Sequence, residues 1–336
     1  MKPKIGLLPG DPGGIGPELI AKLLADPQLP DQADVLLIGD AHLFTLGMQQ
    51  AEVTHELVAC DAASEDWTAI PATAGFAHHA MSTISPDAVR LAEMTEAGGA
   101  SVLAILRQAL CFARDGVIDA ITFGPFNKAG MIAAGLGFED ELHYMADFLG
   151  VETYISELNT LDGIWTSRVS SHIALKEVPC YITAERITEA VELIHRDLKK
   201  SGVANPRLSV AALNPHAGDG GNFGREEIEI IRPAVEALQA RQIAVDGPWP
   251  SDTVFLKAKD GAVDGIITMY HDQGQIALKL MGFDRGVTVQ GGIPFPVTTP
   301  AHGTAFDIAG NGVADIGATR AAFDLACRMV GAAETG

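Results

Sequence analysis

The sequence predicts an α/β protein with mainly parallel sheets, and two features of the chain support that prediction. Apolar residues make up 47% of the 336 residues and aromatic residues only 6%, with 36 glycines. This composition is typical of α/β enzymes rather than of all-β or fibrous proteins. Short apolar runs that suit buried strands also alternate with segments of helical periodicity. Strands separated by helices pair in parallel, and ligands bind such sheets at the carboxyl ends of the strands.

In the first half of the chain, a strand is expected at Ile5–Pro9, followed by a helix from Pro17. Proline suits the first helical turn because its φ is already fixed near the helical value. A second strand is expected at Val35–Gly39. A long helix, from about Val89 to Arg114, then leads to the strand Ala120–Phe123.

The second half repeats this alternation. A helix over Thr183–Lys200 precedes the strand Leu208–Leu213, and a helix over Glu226–Gln242 precedes the strand Gly265–Met269. The stretch Trp165–Ser170 is less clearly a strand. At this length the chain fits two domains, or one large α/β unit with a cleft.

Charge and cysteine content exclude several classes of partner. The formal net charge of −20 and the pI near 4.7 argue against nucleic acid and against anionic membrane surfaces, which both need clustered Lys and Arg. No apolar run reaches the roughly 18 residues needed to span a bilayer. The four cysteines are scattered, as expected for reduced thiols. With no signal peptide ahead of the first strand, a cytoplasmic location is expected.

Three histidines lie in short segments that suit metal ligands: His172 in Ser-His-Ile, His216 in Asn-Pro-His-Ala-Gly and His271 in Tyr-His-Asp-Gln-Gly. Imidazole is the commonest neutral nitrogen ligand of catalytic metals. Three protein ligands with one open position are typical of a metal that acts on a substrate. His216 and His271 follow predicted strands, whereas a core histidine would sit within one. We expect one divalent cation, zinc or else Co, Ni, Mn or Mg.

Two glycine-rich or small-residue segments could contact a cofactor. Gly10–Glu18 joins the first strand to the first helix, and a glycine such as Gly14 lets the backbone approach a ligand closely. Many α/β proteins use such a turn for packing alone, and the spacing does not fit the Rossmann fingerprint. Ala301–Gly310 is expected to form a tight loop that caps a helix, with Asp307 near the helix N-terminus.

These segments together resemble a known family. The opening Gly-Asp-Pro-Gly-Gly-Ile-Gly-Pro-Glu and the later His-Gly-Thr-Ala-Phe-Asp-Ile-Ala-Gly are similar to those of the isocitrate/isopropylmalate dehydrogenase-type fold. With the two longer histidine motifs and Gly124-Pro125-x-x-Lys128, the set resembles the 4-hydroxythreonine-4-phosphate dehydrogenase family of pyridoxal phosphate biosynthesis and its paralogues. The resemblance runs in order from residue 4 to about residue 330.

The resemblance implies a homodimer of two-domain α/β subunits with a cleft between the domains. The first domain would comprise residues 1–125 plus about 285–336. The second, about 126–284, would hold the metal histidines and the dimer interface. NAD or NADP would bind in the cleft without a Rossmann fold, and the three metal histidines would come from both subunits. The positions that match the cofactor site are Gly14, His302, Gly303, Thr304 and Asp307.

The reaction implied by the resemblance is hydride transfer from the secondary alcohol of a 3-hydroxy acid to the nicotinamide, followed by loss of the adjacent carboxylate as CO2. Asp252 matches an acidic position that could act as a base or hydrogen-bond partner, although it could equally cap the start of a strand. Lys279 matches a lysine that contacts the substrate phosphate.

The chain departs from the family at its other substrate positions. Glu141 and Leu142 fall where the family has histidine and threonine, with His143 two places on. Thr288 replaces an asparagine and Val297 an arginine, whose charge-assisted contacts would each contribute roughly 1.5–3 kcal/mol. We therefore expect a paralogue that carries out the same type of reaction on a different hydroxy acid, and an unphosphorylated one, such as a dihydrodiol carboxylate or sugar acid, is one alternative. Another alternative is a shifted loop in which His143 takes the substrate role.

The sequence is also compatible with two other classes of function. The altered substrate positions could mark a catalytically inactive paralogue that binds metal or nucleotide. A phosphotransacylase-like acyl carrier is disfavoured, because that chemistry has no use for three metal histidines.

Overall fold

A computed structural model describes residues 2–333 and contains two compact units. The described parts of Met1–Glu152 and Ile293–Gly336 form the first unit, and Thr153–Gly292 forms the second. Each unit contains a sheet and helices, so the predicted α/β class is confirmed. Within residues 2–333, the helices are all too short or too polar to cross a membrane.

The strands of this part of the chain are β1 (Lys4–Leu8), β2 (Asp34–Gly39), β3 (Leu57–Ala59), β4 (Phe76–Ala80), β5 (Ala120–Phe123), β6 (Ser156–Leu161), β7 (Ile164–Arg168), β8 (Leu208–Ala211), β9 (Val245–Trp249), β10 (Gly265–Thr268), β11 (Val287–Gly291) and β12 (Val297–Pro300). The α-helices are α1 (Gly16–Leu24), α2 (Leu29–Gln32), α3 (Ala41–Gln50), α4 (Glu96–Arg114), α5 (Lys128–Ala133), α6 (Glu141–Leu149), α7 (Val178–Tyr181), α8 (Ala184–Lys200), α9 (Arg232–Ala240), α10 (Val254–Lys259), α11 (His271–Gly282) and α12 (Gly317–Ala333).

In the first unit the strand order is β3-β4-β2-β1-β5-β12, and neighbouring strands run parallel. The predicted strands at residues 5–9, 35–39 and 120–123 are confirmed as β1, β2 and β5. Their apolar runs are continuous because helices cover both faces of a parallel sheet. Leu7, Leu37 and Ile20 lie in the resulting core with Phe323 of α12, and all four are essentially inaccessible to solvent.

In the second unit the strand order is β11-β6-β7-β10-β8-β9. β7, β10, β8 and β9 run parallel, whereas β6 pairs antiparallel with both β11 and β7. The stretch 165–170, whose pattern was ambiguous, contains most of β7. Since β7, β10 and β8 are adjacent and parallel, their carboxyl ends meet at one edge of the sheet.

One predicted helix start needs correction. The helix expected from Val89 begins at Glu96, because Ala92 adopts a positive φ and Thr95 caps the helix through its hydroxyl, which accepts the Gly98 N–H at 3.0 Å. The helix expected over residues 226–242 starts where predicted, but its first turn, Glu227–Ile231, is π-helical and precedes α9.

The predicted domain boundaries also differ from the observed units. Residues 126–152 lie in the first unit, because α5 packs on α4 and Met131 and Leu136 share a core with Val102. A Cβ on Gly99 of α4 would lie 2.0 Å from the Gly130 carbonyl oxygen, so glycine permits this close helix contact. Residues 285–292 lie in the second unit, where β11 pairs with β6.

A buried carboxylate connects α1 to the segment before α12. Glu18 is fully buried, and its Oε1 accepts hydrogen bonds from the Ala314 N–H and from Lys22 Nζ, both at 2.8 Å. Lys22 Nζ also donates to the carbonyls of Gly312 and Ala314. The side chains of α1 thereby fix the path of the chain after the 301–310 segment.

We expect Glu18→Ala to lower the free energy of unfolding by about 3 kcal/mol, because it leaves the buried Ala314 N–H without its acceptor and the Lys22 ammonium without its counter-charge. The matched control is Glu192→Ala, which breaks a surface pair with Arg241 and should cost less than about 1 kcal/mol. Urea denaturation measures both. Equal losses for the two variants would contradict the role assigned to Glu18.

Candidate active site

The three histidines predicted to bind metal all lie in the second unit, beyond the carboxyl ends of adjacent parallel strands. His271 begins α11 shortly after β10, His172 follows β7, and His216 follows β8. The strand order therefore brings three loops that are distant in sequence to one edge of the sheet.

Side-chain hydrogen bonds hold these strand ends together. The Ser170 hydroxyl, two residues before His172, donates to the Met269 carbonyl at 2.8 Å. Gln273 of α11 accepts the Met269 N–H at 2.8 Å and donates to the Ala212 carbonyl at 2.9 Å. Gln273 thus links the end of β10 to the end of β8, which precedes the His216 segment.

The imidazoles of His172 and His271 are close, with ring centroids 5.6 Å apart and an interplanar angle of 43°. Two imidazoles on one tetrahedral ion would have centroids roughly 5 Å apart, given metal–nitrogen distances of about 2 Å. His271 Nδ1 lies 2.7 Å from Asp272 Oδ1, an arrangement that fixes the ring and leaves Nε2 for a ligand. The donor set fits a divalent cation.

His216 does not complete this pair within one chain. In the part of the chain that the structure describes, no group of three potential ligand side chains with atoms within 4.8 Å of one another contains all three histidines. The His216 ring lies near Phe223, with ring centroids 6.3 Å apart.

The segment that carries His216 has an uncommon backbone. His216, Ala217, Gly218, Asp219 and Gly220 form a consecutive left-handed run with φ between 42° and 78°. Non-glycine residues in this conformation cost roughly 1–2 kcal/mol each. Strain of this kind persists only where surrounding contacts impose it.

Glu227 anchors the start of this segment, a role that was not predicted from the sequence. It is fully buried, and its Oε1 accepts the N–H groups of Leu213 and Asn214 at 2.9 and 2.7 Å. Its Oε2 accepts from the Asn214 side-chain amide at 3.0 Å. A Cβ on Gly218 would lie 2.7 Å from the same oxygen, so glycine is required there. One carboxylate therefore holds the segment before His216 by hydrogen bonds and packs closely against Gly218 after it.

Two segments predicted to bind the cofactor meet in the first unit. The Ile15 N–H donates to the Thr304 carbonyl at 3.1 Å, and a Cβ on Gly14 would lie 2.9 Å from that oxygen. Gly14 therefore permits the close approach of the glycine-rich turn to the 302–307 segment. Nearby, Asp11 accepts the Gly13 N–H at 2.8 Å, and burial raises the pKa of this carboxyl.

The remaining positions predicted to bind the cofactor lie in the same loop. His302 Nδ1 is 3.1 Å from the Gly303 carbonyl oxygen. The prediction that Asp307 sits near a helix N-terminus is wrong, because the chain turns repeatedly from Ala305, whose φ is 44°, and α12 begins only at Gly317.

The substituted substrate positions of the first unit lie at the start of α6. Glu141 is its first residue and Leu142 is buried. Asp140 caps the helix: its Oδ1 accepts the His143 N–H at 2.9 Å and lies 2.6 Å from His143 Nδ1. Burial alone would raise the pKa of Asp140, but these contacts to His143 lower it. The His143 imidazole is therefore engaged by its own helix cap.

The substrate candidates of the second unit lie on three different elements. Asp252 is exposed in the turn before α10, so it precedes a helix and does not cap a strand. Lys279 lies on α11, two turns beyond His271. Thr288 lies on β11, and its hydroxyl accepts a hydrogen bond from the Asn159 amide at 3.0 Å.

Thr288 belongs to a buried polar group that sequence reasoning missed. We call it the polar strip: Glu157, Asn159, Arg168, Gln275, Thr288 and Gln290. Its members on β6 and β11 alternate along each strand and stand opposite one another, and Arg168 of β7 lies two residues after the partner of Asn159. All of its strand members are therefore on one face of the sheet. That alternation of polar residues was the available signal, but it suggests a solvated face rather than a buried one.

Comparison with known proteins identifies the relatives of this chain. The model of the family described as pyridoxal phosphate biosynthetic protein PdxA matches residues 31–326. A Pseudomonas aeruginosa protein with a provisional assignment as 4-hydroxythreonine-4-phosphate dehydrogenase 2 is 50% identical over 97% of each chain.

Comparison with solved structures points to the same relatives. The crystal structure of 4-hydroxythreonine-4-phosphate dehydrogenase from Klebsiella pneumoniae covers 98% of each chain at 32% identity, with a TM-score of 0.84. A terephthalate 1,2-cis-dihydrodiol dehydrogenase from Burkholderia xenovorans also covers 98% of each chain, at 26% identity and a TM-score of 0.67.

We expect Gly218→Ala to lower the free energy of unfolding by about 2–4 kcal/mol, because the new methyl group adds a clash with Glu227 to an unfavourable φ. Gly220→Ala is the matched control, since Gly220 has a similar φ of 67° and open space around its Cβ position. It should cost only about 1–2 kcal/mol. Denaturant titration compares the two. A smaller loss at Gly218 would refute the proposed packing.

Proposed function

The chain belongs to the pyridoxal phosphate biosynthetic protein PdxA family, and we propose that it is an NAD(P)-dependent dehydrogenase that uses one divalent cation to oxidise the secondary alcohol of a small 3-hydroxy acid. Loss of the adjacent carboxylate as CO2 follows in the proposed reaction. The observation that carries the proposal is the position of His172, His216 and His271 beyond three adjacent strands, with two of their rings already 5.6 Å apart.

In this proposal the cation is zinc, or else Co, Ni, Mn or Mg, and its ligands are the three imidazoles. When bound, the ion would lower the pKa of the substrate alcohol and stabilise negative charge on the oxygen of the oxidised product. His271 is oriented for this task by Asp272, and the His216 segment is held by Glu227. Asp252 is the proposed base or hydrogen-bond partner, and Lys279 is the proposed substrate cation.

The proposed nucleotide, NAD or NADP, binds at the joined segments of the first unit. There Gly14 packs against Thr304, and His302, Gly303 and Asp307 lie in the same loop as Thr304. The nicotinamide supplies the hydride acceptor, while the protein orients it and the substrate.

A homodimer would supply the missing third imidazole. His216 of one chain does not join the His172–His271 pair of that chain, so we propose that each metal site takes ligands from both subunits. The second unit carries exposed apolar side chains suited to an interface: Leu280 is 84% exposed, Ile276 59% and Leu256 57%. Ile276 and Leu280 lie on α11, the helix that begins with His271. Large exposed apolar side chains of this kind are typical of protein–protein interfaces.

The proposed substrate is a small hydroxy acid, and the substituted positions favour one that differs from 4-hydroxythreonine 4-phosphate, for example an unphosphorylated dihydrodiol carboxylate or sugar acid. Val297, at the position expected for a phosphate-binding arginine, is apolar and fully buried. Glu141 would oppose a phosphate dianion, and the His143 imidazole is engaged by Asp140. The alternative is the phosphorylated substrate for which the relatives are named.

We expect removal of divalent metal with a chelator to abolish NAD(P) reduction by hydroxy acids, and readdition of Zn, Co or Mn to restore it. His172→Ala and His271→Ala should each lower kcat/KM by more than about 100-fold, because each removes a ligand of the cation. His195→Ala on α8, remote from these loops in sequence, is the control. Full activity in metal-free protein would overturn the metal proposal, and metal binding without any nicotinamide binding would favour an inactive paralogue.

We expect Leu280→Glu to convert the dimer to monomers and to weaken zinc affinity, because a charge is placed on the apolar face of α11. Val313→Glu, at a 64% exposed residue of the first unit, is the control and should leave both properties unchanged. Light scattering gives the oligomeric state and calorimetry the zinc affinity. A monomeric wild type, or zinc affinity that survives dissociation, would contradict the shared site.

A further inference from the structure

His216 differs from His271 in how its ring is held. The Asp272 carboxylate lies 2.7 Å from His271 Nδ1 and orients that imidazole. The His216 side chain is exposed, and its ring makes no hydrogen bond within residues 2–333. The nearby Phe223 ring is itself 52% exposed, so it leaves the imidazole room to move. The direction of the His216 ring therefore depends on the backbone that carries it.

Two side chains hold the backbone at the base of the His216 segment. Glu227 Oε1 accepts the N–H groups of Leu213 and Asn214 at 2.9 and 2.7 Å. Gln273 of α11 donates to the carbonyl of Ala212 at 2.9 Å. Three consecutive residues after β8 thus each have a backbone group bound by a side chain. These contacts fix the direction in which the chain leaves the strand.

The second carboxylate oxygen of Glu227 holds the loop closed. It accepts a hydrogen bond from the Asn214 side-chain amide at 3.0 Å, and that amide also donates to Glu226 Oε2 at 2.7 Å. A Cβ on Gly218 would lie 2.7 Å from Glu227 Oε2, and one on Gly224 would lie 2.3 Å from Asn214 Nδ2. Glycine at these two positions lets the loop close around the buried carboxylate.

The Glu227 carboxylate has no counter-ion. It is fully buried, and it forms no ion pair within the part of the chain that the structure describes. Its hydrogen-bond donors all belong to Leu213 and Asn214. Burying a charge is unfavourable unless hydrogen bonds compensate it, and here one short segment supplies all of them. This arrangement points to a role in the geometry of that segment.

We propose that Glu227 is a positioning residue that fixes His216 before metal binds and that acts on the metal site of the other subunit. This inference rests on the proposed function, in which each cation takes His172 and His271 from one subunit and His216 from its partner. Glu227 does not touch the cation. It keeps the loop ordered in the metal-free protein, which reduces the free energy lost in ordering the loop when the cation binds.

Zinc affinity of the dimeric protein tests the positioning role. Glu227→Gln keeps the shape of the side chain but directs an amide N–H₂ group toward donors of Leu213 or Asn214. Partners that orient metal ligands typically contribute about 10- to 100-fold to metal affinity, so calorimetry should show zinc binding weakened by about that factor. Hydrogen exchange over residues 213–220 should also be faster in the metal-free variant, because the loop is loosened before any metal is present.

Glu18→Ala is the matched control for stability. It removes another fully buried carboxylate, in the first unit, and should destabilise the protein without changing zinc affinity. Glu227→Asp keeps the charge but withdraws the carboxylate by one methylene, so it should weaken zinc binding too and serves if Glu227→Gln does not fold. Wild-type zinc affinity in a folded, dimeric variant at position 227, or an equal loss in Glu18→Ala, would overturn the proposal.

Mixed dimers show which metal site depends on Glu227. Co-expression with two affinity tags isolates dimers of one Glu227→Gln chain and one His271→Ala chain. One site then combines the intact His172–His271 pair of the first chain with the correctly held His216 of the second. We expect one zinc site of wild-type affinity per mixed dimer and none in either parent homodimer.

A mixed dimer without a tight site would contradict the action across subunits, because Glu227 would then serve the ligands of its own chain. A wild type that is monomeric or binds no zinc would overturn this proposal together with the shared metal site. The proposed dehydrogenase function fails by a separate result, in which the wild-type dimer binds zinc but reduces neither NAD nor NADP with any hydroxy acid.

Discussion

The parallel alignment of β7, β10 and β8 is the constraint on which the second unit depends. Backbone hydrogen bonds of a parallel sheet place the carboxyl ends of neighbouring strands at one edge, so residues 172, 216 and 271 are brought to that edge by the sheet itself. Ser170 and Gln273 then fix the strand ends against one another, and Glu227 fixes the loop after β8. Each of these contacts is local, yet together they determine where the imidazoles can point.

The sequence predicted the features that depend on backbone pattern and failed on those that depend on tertiary contacts. Apolar runs identified β1, β2 and β5, because both faces of these strands are buried. One helix start was misplaced by about seven residues: the start of α4 is set by Thr95 and the positive φ of Ala92, which periodicity does not register. The domain boundary near residue 125 was also misplaced, since the packing of α5 on α4 depends on two glycines in contact.

Within the candidate site, the histidines were recognisable from their motifs, whereas the residues that hold them were not. Glu227 reads in the sequence as one more acidic residue of an exposed helix, and only the fold shows that its carboxylate accepts three hydrogen bonds from the segment before His216. Arg168 and Asn159 were not recognised from the sequence either, because an alternation of polar residues predicts a strand face that is exposed to water. A buried network becomes visible only when three strands and a helix are assembled around it.

The three histidines proposed to bind metal lie beyond the strand ends, whereas the polar strip occupies side-chain positions on a strand face. Replacing a side chain on such a face leaves the ladder of backbone hydrogen bonds, and therefore the loops at its end, where they were. Point changes at the alternate positions of β6, β7 and β11 can therefore alter the polarity of this face without moving the loops that carry the histidines. Evolutionary divergence on this scaffold can accumulate at those positions while the backbone beyond the strand ends stays in place.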